Sequence, residues 1–316
     1  MLFHTYYKEW IDLYKRGAIH PATLQKYEMT LSWISTLAPG LLMSDLDKRS
    51  YQNILNEYAK THEVVTTRDF HRQLKSAILD AVDEGLLKAD PSRKAVIKGK
   101  PPTKKKLKFL SQAQLQSLLE SLDLADIPNW DWFILLAAKT GLRFAEALAL
   151  TPDDFDFEHQ KLRVDKTWDY KRDGGFTKTK NESSKRAISI DSELCQQFSG
   201  LLINCTNSNP IFVDGRVFNS TINNRLKALC KLSGVPVISF HGLRHTHASL
   251  LIYAGVSIAS IAKRLGHSNT TTTQETYLHI IKELEDQDTA KILTHLSTLT
   301  GKGKGNSDEK NIEVCA

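Results

Sequence analysis

Two residues of opposite charge stand at the start of a short apolar helix and are the first candidates for chemistry. Arg143 follows directly on a hydrophobic run, and Glu146 lies three residues later on the same helical face. An arginine at a helix N-terminus is poorly placed for the helix dipole. Either Glu146 therefore holds the guanidinium in place, or an anion is its partner.

A second group of residues combines histidine, arginine and tyrosine towards the end of the chain. If the surrounding segment is helical, His241, Arg244 and His245 share one face. His267 lies just past a glycine that ends a helix, and Tyr277 follows ten residues later. Two chemistries compete for this cluster, a metal site and the transfer of a phosphoryl group.

The first chemistry is a zinc site, because two histidines at positions i and i+4 of a helix can bind one ion. His241 and His245 have this spacing, but no glutamate stands between them as in H-E-x-x-H, and Arg244 would lie beside the cation. No nearby cysteine or aspartate completes a set of ligands. We therefore expect neither a metal nor any other cofactor.

The second chemistry, which we favour, is metal-free cleavage of a phosphodiester. Fixed guanidinium groups stabilise the charge on the non-bridging oxygens of a phosphate under attack, and their planar fork donates paired hydrogen bonds. Histidines can add hydrogen bonds or carry protons near neutral pH. A tyrosine hydroxyl becomes an effective nucleophile once cations surround it, and it can then form a covalent intermediate with phosphorus.

The order of these residues resembles the tyrosine recombinase (phage integrase) family. Residues 140–146, Thr-Gly-Leu-Arg-Phe-Ala-Glu, are similar to the family's first arginine box. Residues 241–246, His-Gly-Leu-Arg-His-Thr, are similar to its second. Residues 265–268, Leu-Gly-His-Ser, together with residues 277–279, Tyr-Leu-His, resemble its nucleophile box.

The resemblance implies a role for each residue. Tyr277 attacks the scissile phosphate and leaves a 3′-phosphotyrosine and a free 5′ hydroxyl. Arg143 and Arg244 clamp the non-bridging oxygens. His241 and His267 hydrogen-bond the phosphate and manage the tyrosine proton. Three other histidines are interpreted as structural or incidental, namely His245, His247 and His279.

The family also uses a lysine on a β-hairpin, which protonates or stabilises the leaving 5′ oxygen. We assign Lys178 to this role and keep Lys180 as the alternative, because Lys-Thr followed by a turn and Ser-x-Arg resembles the family pattern. Glu146 is expected to orient Arg143. The other basic residues that we expect to contact DNA are Lys98, Lys100, Lys104, Lys105, Lys106, Lys180 and Arg186.

The elements that must position these residues are mainly α-helical, with a small antiparallel β-sheet. Apolar residues at spacings of three and four predict four or five short helices over residues 1–92. Residues 161–170 and 185–190 alternate in polarity, which predicts two strands with a turn between them. From Asp191 to about Leu299 the pattern is mainly helical again.

This pattern divides the chain into four parts: a helical core-DNA-binding domain (1–92), a basic linker (93–108), a catalytic domain (109–299) and a flexible tail (300–316). The linker is identified by eight Lys or Arg and no acidic residue in residues 92–108. Ser111 and Gln114 form a capping box that opens the catalytic domain. We expect the family's additional arm-binding domain, which has no counterpart ahead of Phe3, to be either naturally absent or trimmed.

The charge distribution indicates a polyanionic partner. The chain carries 42 Lys and Arg against 36 Asp and Glu, a formal charge of +6, and residues 1–106 hold 18 of these basic and 12 of these acidic residues. All of the excess positive charge is thus in the first third, which favours salt-dependent phosphate contacts. With the resemblance, it predicts double-stranded DNA attachment sites as the partner. The resemblance also implies a homo-tetramer on DNA, which pairs two sites, and accessory factors that bend the DNA or promote excision.

We therefore predict a site-specific DNA recombinase that integrates and excises a phage or mobile element. The alternatives are a type IB topoisomerase, which relaxes supercoils instead of exchanging strands, and a DNA-binding regulator that no longer cuts. The sequence has no apolar run long enough to span a membrane, no signal peptide and only four scattered cysteines. These features predict a cytoplasmic, nucleoid-associated protein with free thiols.

Overall fold

The chain divides by its own contacts into two units, Met1–Lys105 and Lys106–Ala316. The computed structural model describes residues 1–101, 109–172, 174–179, 181–203, 205, 208–278, 280 and 296. Several predictions fall on residues outside these ranges: the DNA contacts Lys104, Lys105, Lys106 and Lys180, the incidental His279, and the tail 300–316.

Four helices form the N-terminal unit: α1 (Phe3–Tyr14), α2 (Pro21–Leu37), α3 (Lys48–Ala59) and α4 (Val64–Asp83). Local signals determine where they begin. Pro21 occupies the first turn of α2, and the Asp47 carboxylate accepts hydrogen bonds from two backbone amides at the start of α3. The core between the helices combines aliphatic side chains with many aromatic ones, including Phe3, Tyr7, Trp10, Tyr51 and Phe70.

The first part of the predicted linker, residues 93–101, lies along this unit. The carbonyl of Lys100 accepts a hydrogen bond from the backbone amide of Val64, at 3.1 Å. A Cβ on Gly99 would lie 2.6 Å from the Val64 nitrogen, so only glycine allows this close approach. The side chains of Lys98 and Lys100 are exposed. The beginning of the predicted linker is thus hydrogen-bonded to the helical unit, and the boundary at residue 93 stays a prediction.

Besides the helix that contains Tyr277, the described part of the second unit has seven α-helices: α5 (Gln112–Glu120), α6 (Trp130–Thr140), α7 (Phe144–Leu148), α8 (Ser192–Leu201), α9 (Asn219–Leu232), α10 (Phe240–Tyr253) and α11 (Ile258–Leu265). The predicted capping box at α5 is confirmed, because Ser111 and Gln114 exchange backbone-to-side-chain hydrogen bonds. α6 is apolar on all sides, with Phe133, Ile134 and Leu136 fully buried. It packs against α10, and this pair forms the centre of the unit.

In the part of the chain that the structure describes, five short strands form two antiparallel sheets: β1 (Phe155–Asp156), β2 (Lys161–Val164), β3 (Lys166–Trp168), β4 (Phe176–Lys178) and β5 (Arg186–Ser189). One sheet has the order β1-β2-β5, and the other is the hairpin β3-β4. The sequence predicts one strand over residues 161–170, but the chain changes partner after Val164. The predicted fold class, mainly α-helical with a small antiparallel sheet, is confirmed.

Residues 270–278 are also helical, and we call them the tyrosine helix. Tyr277 packs into a small apolar cluster with Ala248 and Ile252 of α10 and with Ile261 and Leu265 of α11. Of the helix predicted beyond Tyr277, the structure describes residues 278, 280 and 296, and all three are helical.

No helix in the described ranges is both long and apolar enough to cross a membrane. The cysteines that the structure describes, Cys195, Cys205 and Cys230, are free thiols, and Cys315 lies outside the described residues.

Candidate active site

Arg244 lies at the centre of the candidate site, on the second turn of α10. Its guanidinium donates hydrogen bonds to the carbonyl of Gly141 at 2.8 Å and to the carbonyl of Leu265 at 2.7 Å. The side chain is only 4% exposed, and burial, reinforced by the positive charge of Arg143, lowers the pKa of Arg244 to about 9. The group therefore stays cationic at neutral pH. It joins the ends of α6 and α11 to α10.

Gly141 allows this junction to form. It ends α6 in the left-handed region, with φ of 69°, and its carbonyl then points at Arg244. A Cβ on Gly141 would lie 2.8 Å from a ring carbon of His247. His247 is buried and hydrogen-bonded to the Ala138 carbonyl and to Arg264, so it holds the helices together. Both the backbone angle and the contact require glycine.

Arg143 occupies the residue before α7 and is held by the partner that the sequence predicts. Its Nη1 donates to Glu146 Oε1 at 2.6 Å, and its backbone amide donates to Glu146 Oε2 at 3.1 Å. Its Nη2 donates to the carbonyl of Gly266 at 2.8 Å. The Arg143 side chain is 37% exposed, whereas Glu146 is 1% exposed. One edge of the guanidinium is thus fixed while the side chain still reaches the surface of the site.

Arg186 is the clearest departure from the sequence predictions. We expected a DNA phosphate contact, but its side chain is 5% exposed and forms a paired contact with Glu146. Nη2 donates to Glu146 Oε2 at 2.9 Å, and the other donors reach the carbonyls of Ser184 and Arg264. The prediction of a phosphate contact is therefore wrong for this conformation. Arg186 instead forms an ion pair with the Glu146 carboxylate, and the same carboxylate positions Arg143.

The carboxylate between the two arginines is ionised. Burial alone would raise the pKa of Glu146, but the charges and hydrogen bonds of Arg186 and Arg143 lower it below its usual value. Gly266 makes room for this arrangement, since a Cβ there would lie 2.8 Å from Arg186 Nη1. The result is a pair of guanidinium groups, one reaching the site and one buried behind it.

His267 has a defined tautomer because one of its neighbours can only donate. Nε2 lies 3.0 Å from Arg244 Nη2, so this nitrogen accepts the hydrogen bond. The proton of the neutral ring is then on Nδ1, which donates to Thr273 Oγ1 at 2.7 Å. Burial and the charge of Arg244 lower the pKa of His267 to about 4, so the ring is neutral at pH 7. Thr273 thus links His267 to the tyrosine helix.

Tyr277 is brought to the same helix α10, but it contacts a different histidine from the one expected. Its hydroxyl lies 2.9 Å from Nδ1 of His245 and not against His241. The His241 ring is exposed and packs edge-on against His245, with 4.6 Å between ring centroids. Tyr277 is 2% exposed, and burial raises its pKa to about 12 although the charge of Arg244 opposes this.

A cleft of about 280 Å³ opens beside these residues. Arg143, Glu146 and His267 line it, together with Thr167 and Thr179 of the hairpin region. Lys178 is exposed on β4, in the same hairpin. The cleft therefore brings guanidinium and imidazole groups together with the hairpin region, and the Glu146 carboxylate in its lining is neutralised by two arginines, which suits an anionic group.

The described ranges contain no group of three or more His, Cys, Asp or Glu side chains that could hold a metal ion. The His241 and His245 spacing that suggested zinc is used differently, because His245 Nδ1 is hydrogen-bonded to Tyr277.

Sequence reasoning missed three residues of this site. His245 was interpreted as incidental, although its place one turn after His241 was visible. Arg186 stands beside lysine in a polar segment that is typical of a solvated surface. Thr273 is one of four consecutive threonines, and only the contact with His267 distinguishes it.

The comparisons with known proteins agree with this geometry. Residues 108–283 match the model of the phage integrase family. The chain is 28% identical to the tyrosine recombinase XerC-like protein of Caldanaerobacter subterraneus subsp. tengcongensis, over 89% of this chain and 78% of the relative. It is 30% identical to the ICEBs1 integrase of Bacillus subtilis, over 80% of this chain and 69% of that one.

Solved structures show the same fold. The integrase of transposon Tn1549 in complex with circular intermediate DNA matches with a TM-score of 0.68 and 21% identity, over 87% of this chain and 94% of that one. A lambda integrase dimer bound to a COC′ core site matches with a TM-score of 0.65 and 18% identity, over 87% of this chain and 77% of that one. The chain therefore belongs to the phage integrase family and is a tyrosine recombinase, an enzyme of site-specific recombination.

Proposed function

We propose that this recombinase cuts and rejoins duplex DNA through a covalent 3′-phosphotyrosine at Tyr277, in the integration and excision of a phage or mobile element. The observation that carries the proposal is the convergence of four side chains from separate segments: Arg143, Arg244, His267 and Tyr277. Hydrogen bonds join Arg244 to His267, and the Arg244 charge acts on Tyr277. Cationic donors beside a tyrosine hydroxyl are what attack on a phosphodiester requires.

The scissile phosphate binds in the cleft beside Arg143 and His267. Arg143 turns its exposed edge to one non-bridging oxygen, since its other edge is held by Glu146 and Gly266. Arg244 donates to the phosphate in exchange for a carbonyl contact. His241 adds a hydrogen bond to the same oxygens, and His267 does so once its Nε2 carries a proton and releases Arg244. The arginines supply the positive charge, so the reaction uses no cofactor.

Lys178 gives a proton to the leaving 5′ oxygen. Its strand β4 pairs with β3, and Thr167 and Thr179 beside it line the cleft that contains Arg143. An exposed ammonium on this hairpin can reach a leaving group at the edge of the cleft. The phosphotyrosine keeps the energy of the broken bond, and the reverse attack by a 5′ hydroxyl rejoins the strand.

The partner is a double-stranded attachment site in the bacterial cytoplasm, where the protein associates with the nucleoid. The exposed Lys98 and Lys100 contact DNA phosphates, together with Lys104, Lys105, Lys106 and Lys180 from outside the described residues. Four copies pair two sites, with accessory DNA-bending or excision factors. Structures of related integrases support DNA as the partner, since they contain a transposon end, a circular intermediate and a core site.

The experiment first selects a substrate and then traps the intermediate. Nicked duplexes with a randomised centre are incubated with the protein, and those that remain attached after denaturation are amplified and sequenced. On the selected site, we expect wild type and Tyr253→Phe to form a 3′ covalent adduct and Tyr277→Phe to form none. Tyr253 is the matched control because it is exposed and lies outside the site.

Three outcomes decide between functions. An adduct that persists in Tyr277→Phe refutes the nucleophile. Wild-type protein that binds DNA but forms no adduct indicates a regulator that does not cut. Relaxation of supercoiled DNA without exchange between two duplex sites indicates a topoisomerase.

A further inference from the structure

The hydroxyl of Tyr277 has one hydrogen-bond partner among the residues that the structure describes, and that partner is His245. The Tyr277 oxygen lies 2.9 Å from His245 Nδ1, within the range of a good hydrogen bond. The phenol ring is buried in the apolar cluster of Ala248, Ile252, Ile261 and Leu265, which leaves the hydroxyl turned towards α10. The nucleophilic atom and an imidazole nitrogen are therefore already in contact.

The surroundings of His245 keep its ring neutral. Burial, reinforced by the neighbouring His241 and Arg244, lowers the pKa of His245 to about 4. The titratable and charged groups that face it are these two on α10 and Tyr277 on the tyrosine helix. A neutral imidazole always has one nitrogen that can accept a proton.

Tyr277 needs such an acceptor. With its pKa raised to about 12, only roughly one molecule in 10⁵ carries a phenolate at pH 7. The proton becomes more acidic as the oxygen bonds to phosphorus, so a base weaker than phenolate can remove it during the attack. The base must already be within hydrogen-bond reach of the hydroxyl.

We propose, building on the function proposed above, that His245 is a catalytic residue that accepts the proton of Tyr277 during attack. A lone pair of the Tyr277 oxygen forms the bond to phosphorus, and the hydroxyl proton moves to His245 Nδ1. The bond between phosphorus and the 5′ oxygen breaks, its electron pair stays on that oxygen, and Lys178 supplies a proton there. In the reverse reaction the 5′ hydroxyl attacks, Lys178 regains its proton, and His245 returns its proton to the tyrosine.

The other two histidines are less suited to this step. His241 contacts the ring of His245, at 4.6 Å between centroids, and not the hydroxyl. His267 has both nitrogens engaged, with Nε2 on Arg244 and Nδ1 on Thr273. Neither ring lies against the Tyr277 hydroxyl, so the proton of the nucleophile and the charge of the phosphate are handled by different residues.

The experiment compares His245→Asn and His245→Phe in single-turnover adduct formation on the selected nicked site. Asparagine can still hydrogen-bond the hydroxyl but cannot hold its proton, and phenylalanine keeps the ring without the nitrogen. We expect both to slow cleavage about 10²–10³-fold, the usual size of a general-base effect. Their rates should rise with pH from about pH 6 to about pH 9, because hydroxide then takes the proton, whereas wild type changes little. The matched control is His159→Asn, because His159 is exposed and hydrogen-bonded to Asp156.

A DNA substrate with sulfur in place of the bridging 5′ oxygen distinguishes the two proton transfers, from Tyr277 to His245 and from Lys178 to the leaving group. A thiolate leaves without a proton, so this substrate should restore Lys178→Ala and should leave His245→Asn slow. If the sulfur substrate restores the rate of His245→Asn, the proposal is overturned, because the variant would then be defective in protonating the leaving group. A rising pH profile in His241→Asn but not in His245→Asn also overturns it and assigns the role to His241.

A measurement without DNA distinguishes this proposal from the proposed function. 3-Fluorotyrosine placed at position 277 reports its own ionisation by fluorine NMR. We expect the titration of the fluorophenol to shift in His245→Phe, because the hydrogen bond is lost. If it does not shift, the contact is absent and the proposal fails even where adducts form. If it shifts but wild type forms no adduct on any duplex, the recombinase chemistry fails, and with it the role of His245 in it.

Discussion

Replacing Arg186 tests whether this residue is a buried support or a DNA contact. Its guanidinium makes a paired contact with the Glu146 carboxylate and donates to the carbonyls of Ser184 and Arg264 at 2.9 and 2.6 Å. In Arg186→Lys the charge is kept, but one ammonium cannot serve all of these acceptors. In Arg186→Met a side chain of similar length has neither charge nor donors.

The size of the effect follows from the contacts that are lost. Removing one partner of a buried ion pair costs about 3–5 kcal/mol, because the remaining charge stays buried without compensation. Arg186→Met leaves Glu146 paired with Arg143 alone, so we expect a loss of about 3 kcal/mol or more in the free energy of unfolding. For a unit of this size that corresponds to a fall in Tm of roughly 10 °C. Arg186→Lys should recover less than half of the loss.

The assays are thermal unfolding, single-turnover cleavage and the salt dependence of DNA binding. We expect both variants to unfold earlier and to cleave more slowly, because Arg143 loses part of its support. The slope of log Kd against log salt should stay at the wild-type value. A variant with wild-type Tm, weaker binding and a slope reduced by about one would refute the reasoning, since that is the signature of a lost phosphate contact.

Three further predictions concern the same site. Thr273→Val should slow adduct formation about tenfold with little change in Tm, because it removes the acceptor of the Nδ1 proton, which helps to hold the ring of His267 in place; an unchanged rate would contradict this. Gly141→Ala should lower Tm, because its Cβ would lie 2.8 Å from the His247 ring at a φ of 69°, and a Tm at or above that of wild type would contradict it. Since the pKa of Glu146 is lowered on folding, its contribution to stability should be complete above about pH 4.5 and lost as the pH falls further through the lowered pKa. Urea unfolding at a series of pH values measures this loss, and Glu146→Gln should remove that part of the pH dependence.

Much of the helical framework follows from local signals in the sequence. The capping box of Ser111 and Gln114 and the proline that opens α2 are formed by residues close together in the chain. Arg143 and Glu146 also form their ion pair across three residues, so the sequence alone predicts it. The strand at 161–170 was predicted less well, because the choice between β5 and β4 as partner depends on segments further along the chain.

The order of Arg143, Arg244, His267 and Tyr277 determined the family and the chemistry, since residue types and spacing are properties of the sequence itself. Only the tertiary structure decided which histidine meets the nucleophile. His241 and His245 are one helical turn apart, and the family pattern favours His241, but the hydroxyl on the tyrosine helix meets α10 at His245, 32 residues earlier in the chain. Arg186 shows the same limit. Its partner carboxylate is 40 residues away, and burial of that contact turns a cation of the predicted DNA surface into part of the core.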